Sequence, residues 1–219
     1  MASQQGRQAM YELHEFHLSV ASYRVRIGLS LKGVEYQSVP VSLVKGGGEQ
    51  HLPEYRALNV QGLVPTYADH DITLTQSIAI LEYLDEQYPE PTFLPGDALK
   101  RARARQIAHI AACDIQPLLN LRVLGYLRNA FGADQVARSK WFRYWLLEGL
   151  DALELLITAE RGTSMYCLGN EVSLADIVLV PLVFQARRFK LAMDDFPRLC
   201  EIEEACLRLD AFQRAAPKD

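Results

Sequence analysis

The chain has 219 residues, 49% hydrophobic and 23% charged, a globular balance that excludes bulk disorder. Its 23 lysines and arginines stand against 27 acidic residues, a net charge of −4, which excludes a protein held to nucleic acid by phosphate neutralisation. No apolar run approaches the roughly 18 residues of a membrane span, so the sequence predicts a soluble protein with no membrane partner.

Residues Met1 to Ala9 are polar, lack the apolar run of a secretory signal and read as a disordered extension. Tyr11 to Phe16 alternates weakly with period two, as a strand with one buried face does. Ser22 to Lys32 places Val25, Leu29 and Lys32 on one helical face, and Gly33 supplies the stop. Tyr36 to Val41 predicts a second strand, followed by the loop Lys45 to Gly48 and a small helix over Leu52 to Leu58. Two brief strands are expected near Thr66-Tyr67 and Ile72 to Leu74, around a turn at Asp69 to Asp71. Gln76-Ser77 then opens a helix carrying Ile78, Leu81, Tyr83 and Leu84 and closed by Pro89.

This order predicts an α+β protein: a small mixed sheet with packed helices over 10–89, a Pro-rich linker over 90–96 and a helical domain over 97–219. Lys100 to Phe131 and Gln135 to Thr158 read as long helices, the first kinked at Pro117. Val172 to Leu179 carries a capping box, with Ser173 as cap, Asp176 returning to its backbone and Val172 stapling onto Ile177. Cys113, Cys167, Cys200 and Cys206 show no CxxC and no metal-ligand spacing. The first three sit in apolar surroundings and read as buried free thiols, as in a reducing cytoplasm.

No GxGxxG, phosphate loop, GxSxG or HExxH occurs. His14 and His17 would point to opposite faces of a strand, so no metal site is expected there. What carries chemistry is distributed. Asn59 to Thr66 enters a strand through Val64-Pro65, and Gln76 and Ser77 follow at a helix start, where free N–H groups and a hydroxyl hold a carboxylate. A helix-capping serine is the equal alternative for Ser77.

Together these segments resemble the glutathione S-transferases, and Ser19-Val-Ala-Ser22-Tyr-Arg24-Val-Arg26 to Gly33 is similar to the opening motif of the zeta class. Asp114 to Arg122, Val172 to Pro181, Arg188 to Lys190 and Leu209 to Gln213 are similar to the same class. The resemblance implies a thioredoxin-like N-terminal domain with a cis-proline loop, an all-α C-terminal domain, a homodimer and glutathione as cofactor. It implies that Ser19 hydrogen-bonds the glutathione sulfur and that the Val64 backbone pairs with the cysteinyl part, as an exposed strand edge does. Gln76 and Ser77 would hold the γ-glutamyl end, Gln50 the glycyl end, and Gln116 and Asn120 would face cofactor or substrate. Arg188 would anchor a substrate carboxylate.

The implied activity is cis–trans isomerisation of a maleyl-type keto diacid, maleylacetoacetate or maleylpyruvate, in aromatic or tyrosine catabolism. Where the class carries Arg-Ser-Ser-Cys or a close variant, this chain has Leu18-Ser19-Val20-Ala21. A second hydroxyl, a thiol and an arginine are thereby lost, and Arg122 is the candidate to replace the arginine, with a solvated helix residue as its alternative reading. These replacements keep two rivals open: a transferase or dehalogenase acting on small electrophiles, and a non-catalytic glutathione-binding protein. Tyr23, Arg24 and Arg26 read as packing and structural residues.

Overall fold

The computed structural model describes residues 11–69, 72–159 and 164–218, and these fall into two compact units, 11–91 with 214–218, and 92–213. The expected extension Met1 to Ala9, with His70 and Asp71 of the expected turn, lies outside the described residues.

In the first unit, β1 (Tyr11–Glu15) and β2 (Tyr36–Pro40) pair in parallel, which requires a crossover, and α1 (Val20–Lys32) supplies it. β3 (Thr66–Ala68) runs antiparallel to β1, and β4 (Thr73–Thr75) antiparallel to β3, giving a mixed sheet in the order β2-β1-β3-β4. α2 (Pro53–Leu58) and α3 (Ser77–Gln87) complete the unit, and α3 packs beside α1. Val25, Leu29, Ile80, Leu81 and Leu84 from the helices are buried, as are Leu13 and Tyr67 from the sheet. This is the expected sheet and helix order.

α1 begins before the expected Ser22, because extended Ser19 caps it and accepts the Ser22 N–H at 3.2 Å. It ends where expected: Gly33 takes a left-handed φ of 64°, and its N–H returns to the Leu29 and Ser30 carbonyls. Glu15 at the end of β1 and Arg26 on α1 form a buried ion pair. Arg26 also donates to the His17 carbonyl at 3.0 Å and to the Ala215 carbonyl at 2.8 Å, and Ser38 donates to Glu15 at 2.8 Å. Such a pair is tolerable in a core because both charges have further hydrogen-bond partners.

The second unit is helical. α4 (Ala98–His109) runs into a π-helical segment, Ile110–Ile115, and then a single turn, α5 (Gln116–Leu118). The chain then breaks, because Asn120 is extended (φ −68°, ψ 145°) and caps α6 (Leu121–Phe131) by accepting the Arg122 N–H at 3.0 Å. The expected continuous helix from Lys100 to Phe131 is therefore wrong: the π-turns and this new cap interrupt it. Trp141 on α7 (Gln135–Ala159) donates its indole N–H to the Leu118 carbonyl at 2.8 Å, satisfying an acceptor next to the break.

α8 (Leu174–Arg188) is buried along nearly its whole length, and α9 (Pro197–Leu207) packs against it, with α10 (Asp210–Ala215) following. The expected pairing of Ser173 with Asp176 is present. The fully buried Asp176 carboxylate accepts from the Ser173 N–H and hydroxyl and from the Cys167 N–H, each at 2.8 Å. One expectation about the thiols fails. Cys113 is exposed on the π-segment, whereas Cys167 and Cys206 are buried and Cys200 is half-buried. Its apolar neighbours in sequence do not share its face, because successive side chains of a helix point in different directions, and of the two alanines before it only Ala111 is buried.

Candidate glutathione site

The residues expected to bind lie in both units. In the first unit, Ser19 is half-buried at the α1 N-terminus. Its oxygen accepts the Ser22 N–H, which leaves the hydroxyl hydrogen for a ligand, and the helix end adds positive potential. Val20, by contrast, is 4% exposed and belongs to the core. Ser19 alone presents a hydroxyl within the stretch Leu18 to Ala21.

The Val64–Pro65 bond is cis. β3 is paired by β1 on one edge and by β4 on the other, and Val64 lies two residues before it. It precedes the strand, in a bend secured from behind. Tyr55 and Asn59 both donate to the Leu63 carbonyl, at 2.5 and 2.8 Å, and both reach the Thr66 hydroxyl, at 2.9 and 3.1 Å. Burial pushes the Tyr55 phenol up, so it stays protonated and able to donate. Sequence reasoning missed these two supports, although an asparagine five residues before a Val-Pro bend is the type of residue that ties a loop to itself.

Gln76, not Ser77, occupies the cap position of α3, with a φ of 72°, and its side-chain amide donates to Gln61 at 2.7 Å. The capping alternative for Ser77 therefore fails. As the first helical residue it has no acceptor role within its own helix end, and its oxygen accepts from Arg24 Nη1 at 3.3 Å. Ser77 is 6% exposed and Arg24 1% exposed. Gln50 lies in a short 3-10 turn, Glu49–His51, with its Nε2 3.1 Å from the His51 ring and its Oε1 buried without a protein partner. A Cβ at Gly48 would collide with the Gln50 amide, so this glycine, at a φ of 108°, is what lets the side chain lie there.

In the second unit, Gln116 follows the π-segment and also has a buried, unpartnered Oε1. Asn120 spends its carbonyl oxygen on the α6 cap, which leaves its amide hydrogens as donors. Arg122 is exposed in the first turn of α6. Two neighbouring arginines end α8 and differ in state. Arg187 is paired with Glu203 at 2.7 Å, which pushes its guanidinium up, whereas Arg188 is exposed and has no acidic partner among the described residues.

These features match known proteins along both units. The glutathione S-transferase N-terminal domain matches residues 13–92, and the glutathione S-transferase C-terminal domain residues 147–210. A maleylacetoacetate isomerase of Pseudomonas aeruginosa is 44% identical over 94% of this chain and 95% of its own length. A holo structure of a maleylpyruvate isomerase, described as a bacterial glutathione S-transferase in the zeta class, is 45% identical. It covers 94% of this chain and 96% of its own, at a TM-score of 0.88. The chain belongs to the zeta-class glutathione S-transferases. A third relative, the maleylacetoacetate isomerase of Methylobacterium extorquens AM1, was solved with malonate and GSH bound. It is 38% identical, with a TM-score of 0.90 over 94% of this chain and 96% of its own.

The first unit of this zeta-class transferase carries three polar groups that a ligand could use. It offers a buried cation behind a serine at a helix start, a buried amide oxygen without a partner and a hydroxyl at a second helix start. An anion, a peptide N–H and a thiolate are the complementary groups.

Proposed function

We propose that this chain is a glutathione-dependent isomerase that converts a maleyl-type keto diacid, maleylacetoacetate or maleylpyruvate, into its fumaryl isomer. The observation that carries the reading is Ser19, whose oxygen is engaged as a helix cap while its hydrogen remains available at a positive helix end. The names and bound ligands of the relatives support the substrate class.

When bound, glutathione supplies a thiol that adds to the conjugated cis double bond, permits rotation about it and departs unchanged. The unperturbed thiol has a pKa of about 8.5, so the protein's task is to favour the thiolate near neutral pH. Ser19 does so by donating its hydroxyl hydrogen, and the α1 N-terminus by its potential. Ser77, Gln76, the Val64 backbone and Gln50 hold the γ-glutamyl, cysteinyl and glycyl parts. Gln116 and Asn120 are assigned to cofactor or substrate, and Arg188 and Arg122 to the substrate carboxylates.

Arg188 suits the anchoring role because its neighbour Arg187 is committed to Glu203 and it is not. With Leu18 in place of the class's arginine, one carboxylate contact is transferred to Arg122 or lost. The enzyme is further assigned to the cytoplasm, where four unpaired thiols persist, and to a homodimer by its class. Among the described residues no helix is long and apolar enough to cross a membrane.

Steady-state isomerisation of both maleyl compounds, with and without glutathione, tests the reading. Glutathione-dependent turnover is expected, lowered about tenfold or more (~1.4 kcal/mol) by Ser19→Ala. No turnover of either compound would overturn it.

A further inference from the structure

Among the described residues Arg24 is the largest fully buried side chain, on a helix whose other inward residues are apolar, aromatic or small, apart from Arg26. The Arg24 guanidinium, 1% exposed, reaches across to α3, 53 residues further along the chain, and donates from Nη1 to the Ser77 hydroxyl oxygen. Ser77 is the first residue of α3, where the helix N-terminus already favours a negative charge.

The hydroxyl between them has one hydrogen and two lone pairs. With one lone pair engaged by Arg24, the hydrogen is free to point away from the guanidinium, out of the helix end. A hydroxyl that accepts from a charged donor is also a stronger donor itself, because linked hydrogen bonds polarise one another where the dielectric is low. We infer that Arg24 is a positioning residue for glutathione: through Ser77 it orients and charges the hydroxyl that receives the γ-glutamyl α-carboxylate, so the site selects an anion there over a neutral group. The inference rests on the placement of the γ-glutamyl end at Ser77. It gives the relay one direction, from Arg24 Nη1–H to Ser77 Oγ and from Ser77 Oγ–H to the carboxylate. Arg24 itself touches neither the sulfur nor the maleyl substrate.

The test is binding, read by titration calorimetry on the full-length protein with two ligands. One is glutathione, and the other is its analogue of equal size in which the γ-glutamyl α-carboxylate is a carboxamide. Wild type should prefer glutathione by about tenfold or more, the scale of a charge-assisted hydrogen bond. In Arg24→Met that preference should fall about fivefold or more, while the affinity for the carboxamide changes by less than about threefold. Ser77→Ala, which keeps the guanidinium but breaks the relay, should weaken glutathione binding about tenfold and still leave some preference for the charged ligand.

A folded Arg24→Met protein with the wild-type preference overturns the inference and leaves the Ser77 site standing. Glutathione affinity unchanged in Ser77→Ala overturns the placement of the γ-glutamyl end instead. Circular dichroism establishes which variants fold. Should Arg24→Met not fold, Arg24→Gln, which keeps an amide donor for Ser77 without the charge, is read by the same criterion: a preference that falls about fivefold or more supports the inference, and the wild-type preference overturns it.

Discussion

Ser19 caps α1 and, in the function proposed, activates the glutathione sulfur, and the two tasks are separable by substitution. As a cap its oxygen accepts the Ser22 N–H; as an activator it would donate its hydrogen to sulfur. Ser19→Ala removes both, so unfolding stability should fall by about 1 kcal/mol in urea titrations, alongside the loss of rate. Ser19→Asp restores the cap acceptor but brings a negative charge and no hydrogen at neutral pH. Stability should return to within about 0.5 kcal/mol of wild type while kcat/KM stays at or below that of Ser19→Ala. Recovery of rate with stability would make the serine structural only. The neighbouring replacements fit this division: Val20 is core, so a hydroxyl there is not needed for folding, and the burden of donation falls on Ser19.

The π-segment between α4 and α5 depends on a glycine in another helix. Gly149 on α7 lies against Ile115, the last residue of the π-segment, and a Cβ there would overlap the Ile115 side chain. Ile115 is buried and precedes Gln116, so it has little room to yield without moving that glutamine. Gly149→Ala gains helix propensity on α7, worth up to about 1 kcal/mol, but the overlap costs about 1–3 kcal/mol, so net destabilisation is expected in urea unfolding. A more stable Gly149→Ala protein would show that the π-segment relaxes freely.

How legible such elements are in sequence follows from the range of the interactions that set them. The Gly33 stop, the Ser173–Asp176 pairing and the opening of α3 are local and were readable from a few adjacent residues. The break at Asn120 is local too, but it competes with a strong helical pattern on both sides, and only the extended backbone of Asn120 reveals it. The exposure of Cys113 is hidden because apolar neighbours in sequence say nothing of which side of the helix a residue takes. The supports of the site are the least legible. Arg24 meets Ser77 across 53 residues, and Tyr55 meets Thr66 across the loop it holds, so neither pairing leaves a periodic trace.

At the level of the whole molecule, the first unit is completed by the other end of the chain. Residues 214–218 group with 11–91, and the tie is polar as well as apolar. Ala215 is buried, its carbonyl accepts from Arg26 Nε, and Arg26 is at the same time the partner of Glu15. Truncation after Gln213 therefore strips a buried guanidinium of one acceptor while leaving its carboxylate, which should cost about 1–3 kcal/mol. Arg26→Met in the full-length chain does the reverse: it keeps the tail but leaves Glu15 charged, buried and without its cation, a loss of about 3–5 kcal/mol. Hydrogen exchange followed by mass spectrometry should show both losses in β1, α1 and β2, larger for Arg26→Met than for the truncation. Protection of α8, whose buried cap is closed by Asp176 within its own unit, should stay near wild type in both variants. Equal loss of protection in α8 would mean that the two units unfold as one, and the polar tie would then govern the stability of the entire chain instead of the first unit alone.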